Sequence, residues 1–113
     1  MAKLKTRFWV DALRWRAERA GAAMYAVKKG DFDHGAVLVK VVNIKRSTQI
    51  YTSALSADGD DIWLDALDGK GEIETNADAY ICDRIKHDPD LWVLEIEDKH
   101  GCSFLTEPIS ICT

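Results

Sequence analysis

Proline is scarce in this chain: there are two in 113 residues, and neither sits in a Pro/Ser-rich stretch that would mark a linker. Internal repeats and low-complexity segments are also missing, so a single domain over residues 1–113 is the expected organisation. No apolar run approaches the roughly 18 residues of a membrane span. The longest, Ala36–Val42, is interrupted by Lys40, and no membrane partner is expected. Met1–Lys5 is basic but has neither an apolar stretch nor a small-residue cleavage site behind it, so no signal peptide is expected. The three cysteines, Cys82, Cys102 and Cys112, are far apart and form no Cys-x-x-Cys. That spacing argues against a zinc ribbon or thioredoxin-like chemistry and predicts buried free thiols in a reducing cytoplasm.

The usual catalytic signatures are missing as well. There is no Gly-x-Ser-x-Gly, no His-Glu-x-x-His and no Walker loop; Gly69-Lys70-Gly71 lacks the required spacer and the Lys-Ser/Thr pair. Asp31-Phe32-Asp33-His34-Gly35 has part of the look of a calcium loop. The twelfth position, where a bidentate glutamate belongs, is Val42. Asp31, Asp33 and His34 are therefore ligand candidates only, in what reads as an Asp/Gly-rich turn between strands. Asp65–Glu72 fails as a calcium loop too, since Leu64 stands where the first carboxylate should be. Asp83 and His87 are four apart on an expected helix and read as a solvated pair. No metal and no cofactor are expected.

What the chain does have is uneven charge. Residues 1–46 carry a balance of +7 and residues 47–113 one of −11, giving −4 overall. Either the basic half meets an acidic partner, or the two halves pack side by side and attract each other. The N-terminal segment concentrates arginine beside aromatic residues: Arg7, Arg14, Arg16 and Arg19 with Phe8, Trp9 and Trp15. This is the chemistry of protein interfaces and of nucleic-acid contact, and also of an ordinary helix with a solvated face. The acidic second half would repel phosphate, which makes a nucleic-acid partner the least favoured of the three. Trp15, Arg14, Arg19 and Trp9 are the interaction candidates. At about 100° per residue, Trp15 lies roughly 200° from Leu13, away from the Leu13–Ala17–Ala20 stripe.

Hydrophobic periodicity gives the element order. Leu4, Thr6, Phe8 and Val10 alternate with polar or outward residues and read as a strand. A helix follows over residues 11–20, or from Thr6 if it starts early, and stops at Gly21. Strands are predicted at Met24–Lys28, Ala36–Asn43 (central, covered on both faces), Gln49–Leu55 and Ile62–Leu67. Thr75–Asp78 resembles a capping signature for a helix over residues 76–87, with Arg84, Lys86 and His87 in its last turn and Pro89 beyond it. Leu91–Glu97 reads as a half-buried strand, paired in a C-terminal hairpin with Cys102–Leu105 through Asp98–Gly101. The fold class is α/β of the α+β type: a mostly antiparallel sheet with two helices packed on it.

Several of these segments carry a resemblance in their order along the chain. Phe8-Trp9-Val10, Gly21-Ala22, Gly30-Asp31-Phe32-Asp33-His34-Gly35-Ala36-Val37-Leu38-Val39 and Asp88-Pro89-Asp90-Leu91-Trp92-Val93 are similar to a family of small alphaproteobacterial proteins known as a domain of unknown function. The likeness runs over nearly the whole chain. The Gly-Asp-x-Asp-x-Gly turn and the Asp-Pro-Asp-Leu-Trp segment are its most specific parts, with Phe32 and His34 at the variable turn positions. It implies a bacterial cytoplasmic protein with a layered α/β fold, and no activity or catalytic residue comes with it.

The leading expectation is a non-catalytic binding or accessory domain, with a homodimer or a protein partner. The alternatives are a small enzyme with a site assembled from separate strands near Asp31 and Asp33, and a nucleic-acid binder using the basic N-terminal face.

Overall fold

The first long element is a helix, α1 (Thr6–Arg19), which begins at Thr6, the earlier of its two expected starts, and replaces the strand that the alternation of Leu4–Val10 had suggested. The computed structural model describes residues 5–45, 47–66, 72–107 and 109–111. Thr6, Val10, Leu13 and Ala17 are buried at steps of three and four, and this helical stripe overrides the apparent period of two. Ala20, expected on the same stripe, is the exposed C-cap. The helix ends in a Schellman turn: Ala22 N–H donates to the Ala17 carbonyl at 3.0 Å and Gly21 N–H to that of Glu18 at 3.1 Å. Gly21 supplies the left-handed residue this turn requires, at φ 89°.

Six further elements follow the expected order closely. They are β1 (Ala23–Lys28), β2 (Val37–Val42), β3 (Ser47–Leu55), β4 (Asp61–Asp65), α2 (Glu74–His87) and β6 (Trp92–Glu97). A two-residue β5 (Glu72–Ile73) precedes α2, and β7 (Ile109–Ile111) closes the chain. Helix α2 starts at Glu74, so Thr75–Asp78 form its first turn rather than its cap. The sheet order is β1-β6-β2-β3-β4-β7, with β5 beside β4 along the same edge of β3. Pairing is mostly antiparallel, as expected; β2 with β6 and β4 with β7 are parallel.

The two helices cover opposite faces. On the α1 face, Val10, Leu13 and Ala17 meet Val37, Val39, Val41, Leu94 and Ile96. On the α2 face, Ala77 and Ile81 meet Leu38, Ile50 and Val93. Each fully buried Val, Leu or Ile contributes about 1.5–3 kcal/mol, which fixes α1 on the sheet despite its charged outer side. Every side chain of β2 is buried, as a central strand requires. Strand β6, expected to be half-buried, is also covered on both faces. Lys40, 4% exposed, points to the α2 face and pairs with Asp78 at 2.8 Å and Glu95 at 3.2 Å. A basic-half residue thus meets carboxylates of the acidic half.

The C-terminal hairpin does not form. Both edges of β6 are already taken, by β1 and β2, so no edge is left for Cys102–Leu105. That segment instead leaves the sheet after Gly101 and crosses the α1 face, where Phe104 and Leu105 pack on the core. Phe104 adopts φ 61°, and its carbonyl accepts from Arg16 Nε at 3.1 Å. Cys82 and Cys102 are free thiols but exposed, which corrects their expected burial. Cys82 faces outward from α2 and Cys102 lies on the crossing segment; Cys112, Leu67 and the Gly69–Gly71 turn lie outside the described residues.

Candidate functional site

Glycine at positions 30 and 35 is a matter of space. A Cβ on Gly30 would lie 2.0 Å from the Asp90 carbonyl oxygen, and one on Gly35 2.7 Å from the carbonyl oxygens of both Asp31 and Asp90. The 30–35 turn is pressed against the 88–92 segment. Asp31 N–H donates to the Asp90 carbonyl at 3.0 Å, and Trp92 Nε1 donates to the Asp31 carbonyl at 2.7 Å. The ring of Phe32 lies 5.8 Å from that of Trp92. The two most specific segments of the resemblance are therefore one structural unit, which ties the β1–β2 connection to the α2–β6 connection.

This unit uses the candidate ligands Asp31 and Asp33 locally. Asp31 Oδ2 accepts from the backbone N–H of His34 at 2.8 Å and of Asp33 at 3.2 Å, an Asx turn. Asp33 Oδ1 lies 3.8 Å from Lys5 Nζ. Among the described residues, no three of His, Cys, Asp and Glu converge in a way that would hold a metal ion. Asp83 and His87 form the exposed helix pair, 3.8 Å between Oδ1 and Nδ1.

The turn also docks the start of α1, since Arg7 N–H donates to the Phe32 carbonyl at 2.9 Å and Thr6 Oγ1 to that of Gly35 at 2.9 Å. Between this corner and strands β3 and β4 lies an open cleft of about 770 Å³. Its walls include Thr6, Trp9, His34, Ser53, Asp61 and Trp63, with Glu107 from the crossing segment. Trp9 and Trp63 lie 5.3 Å apart at an interplanar angle of 33°. Their indole N–H groups converge on one carboxylate: Trp63 Nε1 donates to Glu107 Oε1 at 2.9 Å and Trp9 Nε1 to Oε2 at 3.4 Å.

Burial alone would push the Glu107 carboxyl upward. The bonds from Trp63, from its own backbone N–H and from Trp9, with the charge of Arg16, outweigh that and hold it below its ordinary value. It is thus an ionised carboxylate at neutral pH. Nearby, burial first, then the charges of Asp65 and Cys102, push the Tyr51 phenol upward.

The structure divides the interaction candidates. Trp9 belongs to the cleft. Trp15 is 60% exposed on the outer side of α1, with the Arg19 guanidinium 4.8 Å over its ring, and Arg14 is half-buried. Asp33 and His34 reach the cleft; Asp31 does not. Sequence reasoning missed Trp63 and Glu107. Glu107 lies 98 residues from Trp9 and 44 from Trp63, so no local spacing could have joined the three.

An α+β domain with a helix on each face of one mixed sheet, and a cleft beside the first helix, is the class these features define. The chain belongs to the DUF1491 family, described as "Protein of unknown function", which it matches over residues 4–106. It is similar to a DUF1491 family protein from Caulobacter crescentus in its crystal structure: 40% identity, TM-score 0.88, covering 96% of this chain and 100% of that one. The NMR structure of a DUF1491 family protein from the same organism gives 40% identity, TM-score 0.86 and coverage of 97% and 99%. A protein from A. tumefaciens matches at 25% identity and TM-score 0.79, over 94% of this chain and 95% of that one. These relatives are alphaproteobacterial, as the resemblance implied. No curated protein matches the chain. Among the described residues no helix is long and apolar enough to cross a membrane.

Proposed function

We propose that the chain is a non-catalytic cytoplasmic binding domain, and that its cleft takes a small organic cation with an apolar tail. The observation that carries this reading is the Glu107 carboxylate held between two indole N–H groups at the cleft. A carboxylate accepts about four hydrogen bonds; the two indoles and its own backbone N–H take three, so one site remains for an ammonium or guanidinium donor. The Trp9 and Trp63 rings supply apolar surface and favour a cation over an anion. Asp33 and Asp61 add negative charge to the lining, and among the described residues Lys5, beside Asp33, is its one lysine. Free thiols at Cys82 and Cys102 fit a reducing compartment.

Titration with butylamine, butyrate and butanol tests this reading. Butylamine should shift the indole N–H resonances of Trp9 and Trp63, and Glu107→Gln should abolish the shift. Binding of butyrate in place of the amine, or no response to any of the three, would refute it.

A further inference from the structure

The outer side of α1 combines two exposed aromatic rings with charges that form no ion pair among the described residues. Phe8 is 49% exposed and Trp15 60%. They are seven residues apart, and at about 100° per residue they project within roughly 20° of each other. Along one flank of this pair run Arg7, Asp11, Arg14 and Glu18, within an arc of about 60°. Their charges alternate in sign. Among the described residues none of the four takes part in an ion pair, although their three- and four-residue spacings would allow it. Arg7 lies over the Phe8 ring at 4.8 Å, and the buried Nε of Arg14 has no hydrogen-bond partner.

An alternating flank of this kind is complementary to its own reverse. We propose that α1 is a self-association face on which a second copy of this chain packs its own α1 antiparallel, about a two-fold axis near the helix midpoint. A two-fold axis perpendicular to both helices brings the same flank of each copy together. Arg7 then faces Glu18 of the second copy, and Asp11 faces Arg14, with both contacts repeated by symmetry. The aromatic rings meet across the axis, Phe8 of one copy against Trp15 of the other, and Ala12 leaves room for close approach.

A parallel arrangement would set Arg7 on Arg7 and Asp11 on Asp11. An acidic partner would satisfy the arginines and repel Asp11 and Glu18, and a nucleic acid would do the same. The pattern therefore selects a second copy over either. Helix α1 has 14 residues and is roughly 21 Å long, so the contact is smaller than a standard interface and the dimer is weak. The face is separate from the cleft: Trp9 lies about 100° round the helix from Phe8.

Sedimentation of the full chain from micromolar to millimolar concentration reads the association directly. Wild type should pass from monomer to dimer, and Trp15→Ala should weaken dimerisation by about tenfold or more, as an aromatic anchor does. Arg7→Glu and Glu18→Arg should each weaken it roughly tenfold, because each places like charges together twice. The Arg7→Glu/Glu18→Arg double variant should recover the wild-type dimer, with circular dichroism checking that every variant is folded. A chain that stays monomeric at millimolar concentration overturns the proposal. So does a dimer indifferent to Trp15, or a double variant as weak as the single ones.

Discussion

Replacing Gly30 with alanine should be among the most damaging single-methyl changes available in this chain. The added Cβ would lie 2.0 Å from the Asp90 carbonyl oxygen and 2.7 Å from the carbonyl carbons of Asp90 and Leu91. All three atoms are backbone, so no side-chain rotation relieves the clash. Retreat of the 88–91 segment is opposed by Leu91, which is 0% exposed and packed in the α2-side core. It would also break the 3.0 Å bond from Asp31 N–H to the Asp90 carbonyl. Overpacking costs about 1–3 kcal/mol and a lost hydrogen bond about 1 kcal/mol, so the loss should be about 3 kcal/mol. For a domain of this size that is a fall in Tm of about 10–15 °C by differential scanning calorimetry. Gly21→Ala is the control, since its φ of 89° is strained for alanine but nothing lies within 4 Å. It should cost about 1–2 kcal/mol from backbone conformation alone. A Gly30→Ala protein that melts within about 3 °C of wild type would refute the reasoning.

Three further outcomes are expected. Lys40→Ala strands Glu95, whose side chain is 17% exposed, and should cost about 3 kcal/mol in urea unfolding; a loss under about 1 kcal/mol would mean the pair is dispensable. The folded Glu107 carboxyl titrates below its unfolded value, so its stabilisation is full above about pH 4.3 and is lost as pH falls through the lower folded value. The stability gap between wild type and Glu107→Gln should therefore shrink on acidification, and a gap that stays constant would contradict the assignment. Calorimetry with calcium should give no binding at the 30–35 turn, because Asp31 Oδ2 is already occupied by two backbone N–H groups. Micromolar binding lost in both Asp31→Ala and Asp33→Ala would overturn that.

Where several local signals agreed, the fold was legible in the sequence. The β-branched run Val37–Val42 could only be a buried central strand, and Arg84, Lys86, His87 and Pro89 together fixed the end of α2. The crossing segment was not legible, because a hairpin over residues 98–105 satisfies every local rule. What forbids it is the occupation of both edges of β6, a fact of the whole sheet. The Trp9–Trp63–Glu107 cleft depends on that same crossing, since Glu107 reaches the two indoles only because the chain leaves the sheet after Gly101.

The misreading at the N-terminus has a different cause, and it bears on function. Residues 4–10 imitate a strand because Phe8 supplies an apolar residue where the buried stripe of α1 has none. A helix evolved only to cover the sheet would place a polar residue there, and another at Trp15. Both positions instead carry exposed aromatic rings, 49% and 60% accessible. Large exposed apolar groups are ordinary when scattered singly, but two on one face, beside charges of alternating sign, are a surface with a geometry of its own. Local rules fail most often where a surface is used for something other than folding. By that logic, Phe8→Ser should move the sequence closer to a plain amphipathic helix and leave the melting temperature nearly unchanged, since Phe8 lies outside both core clusters. A marked loss of stability in the monomer would show that the Phe8 ring supports the fold, and that its exposure needs no partner to explain it.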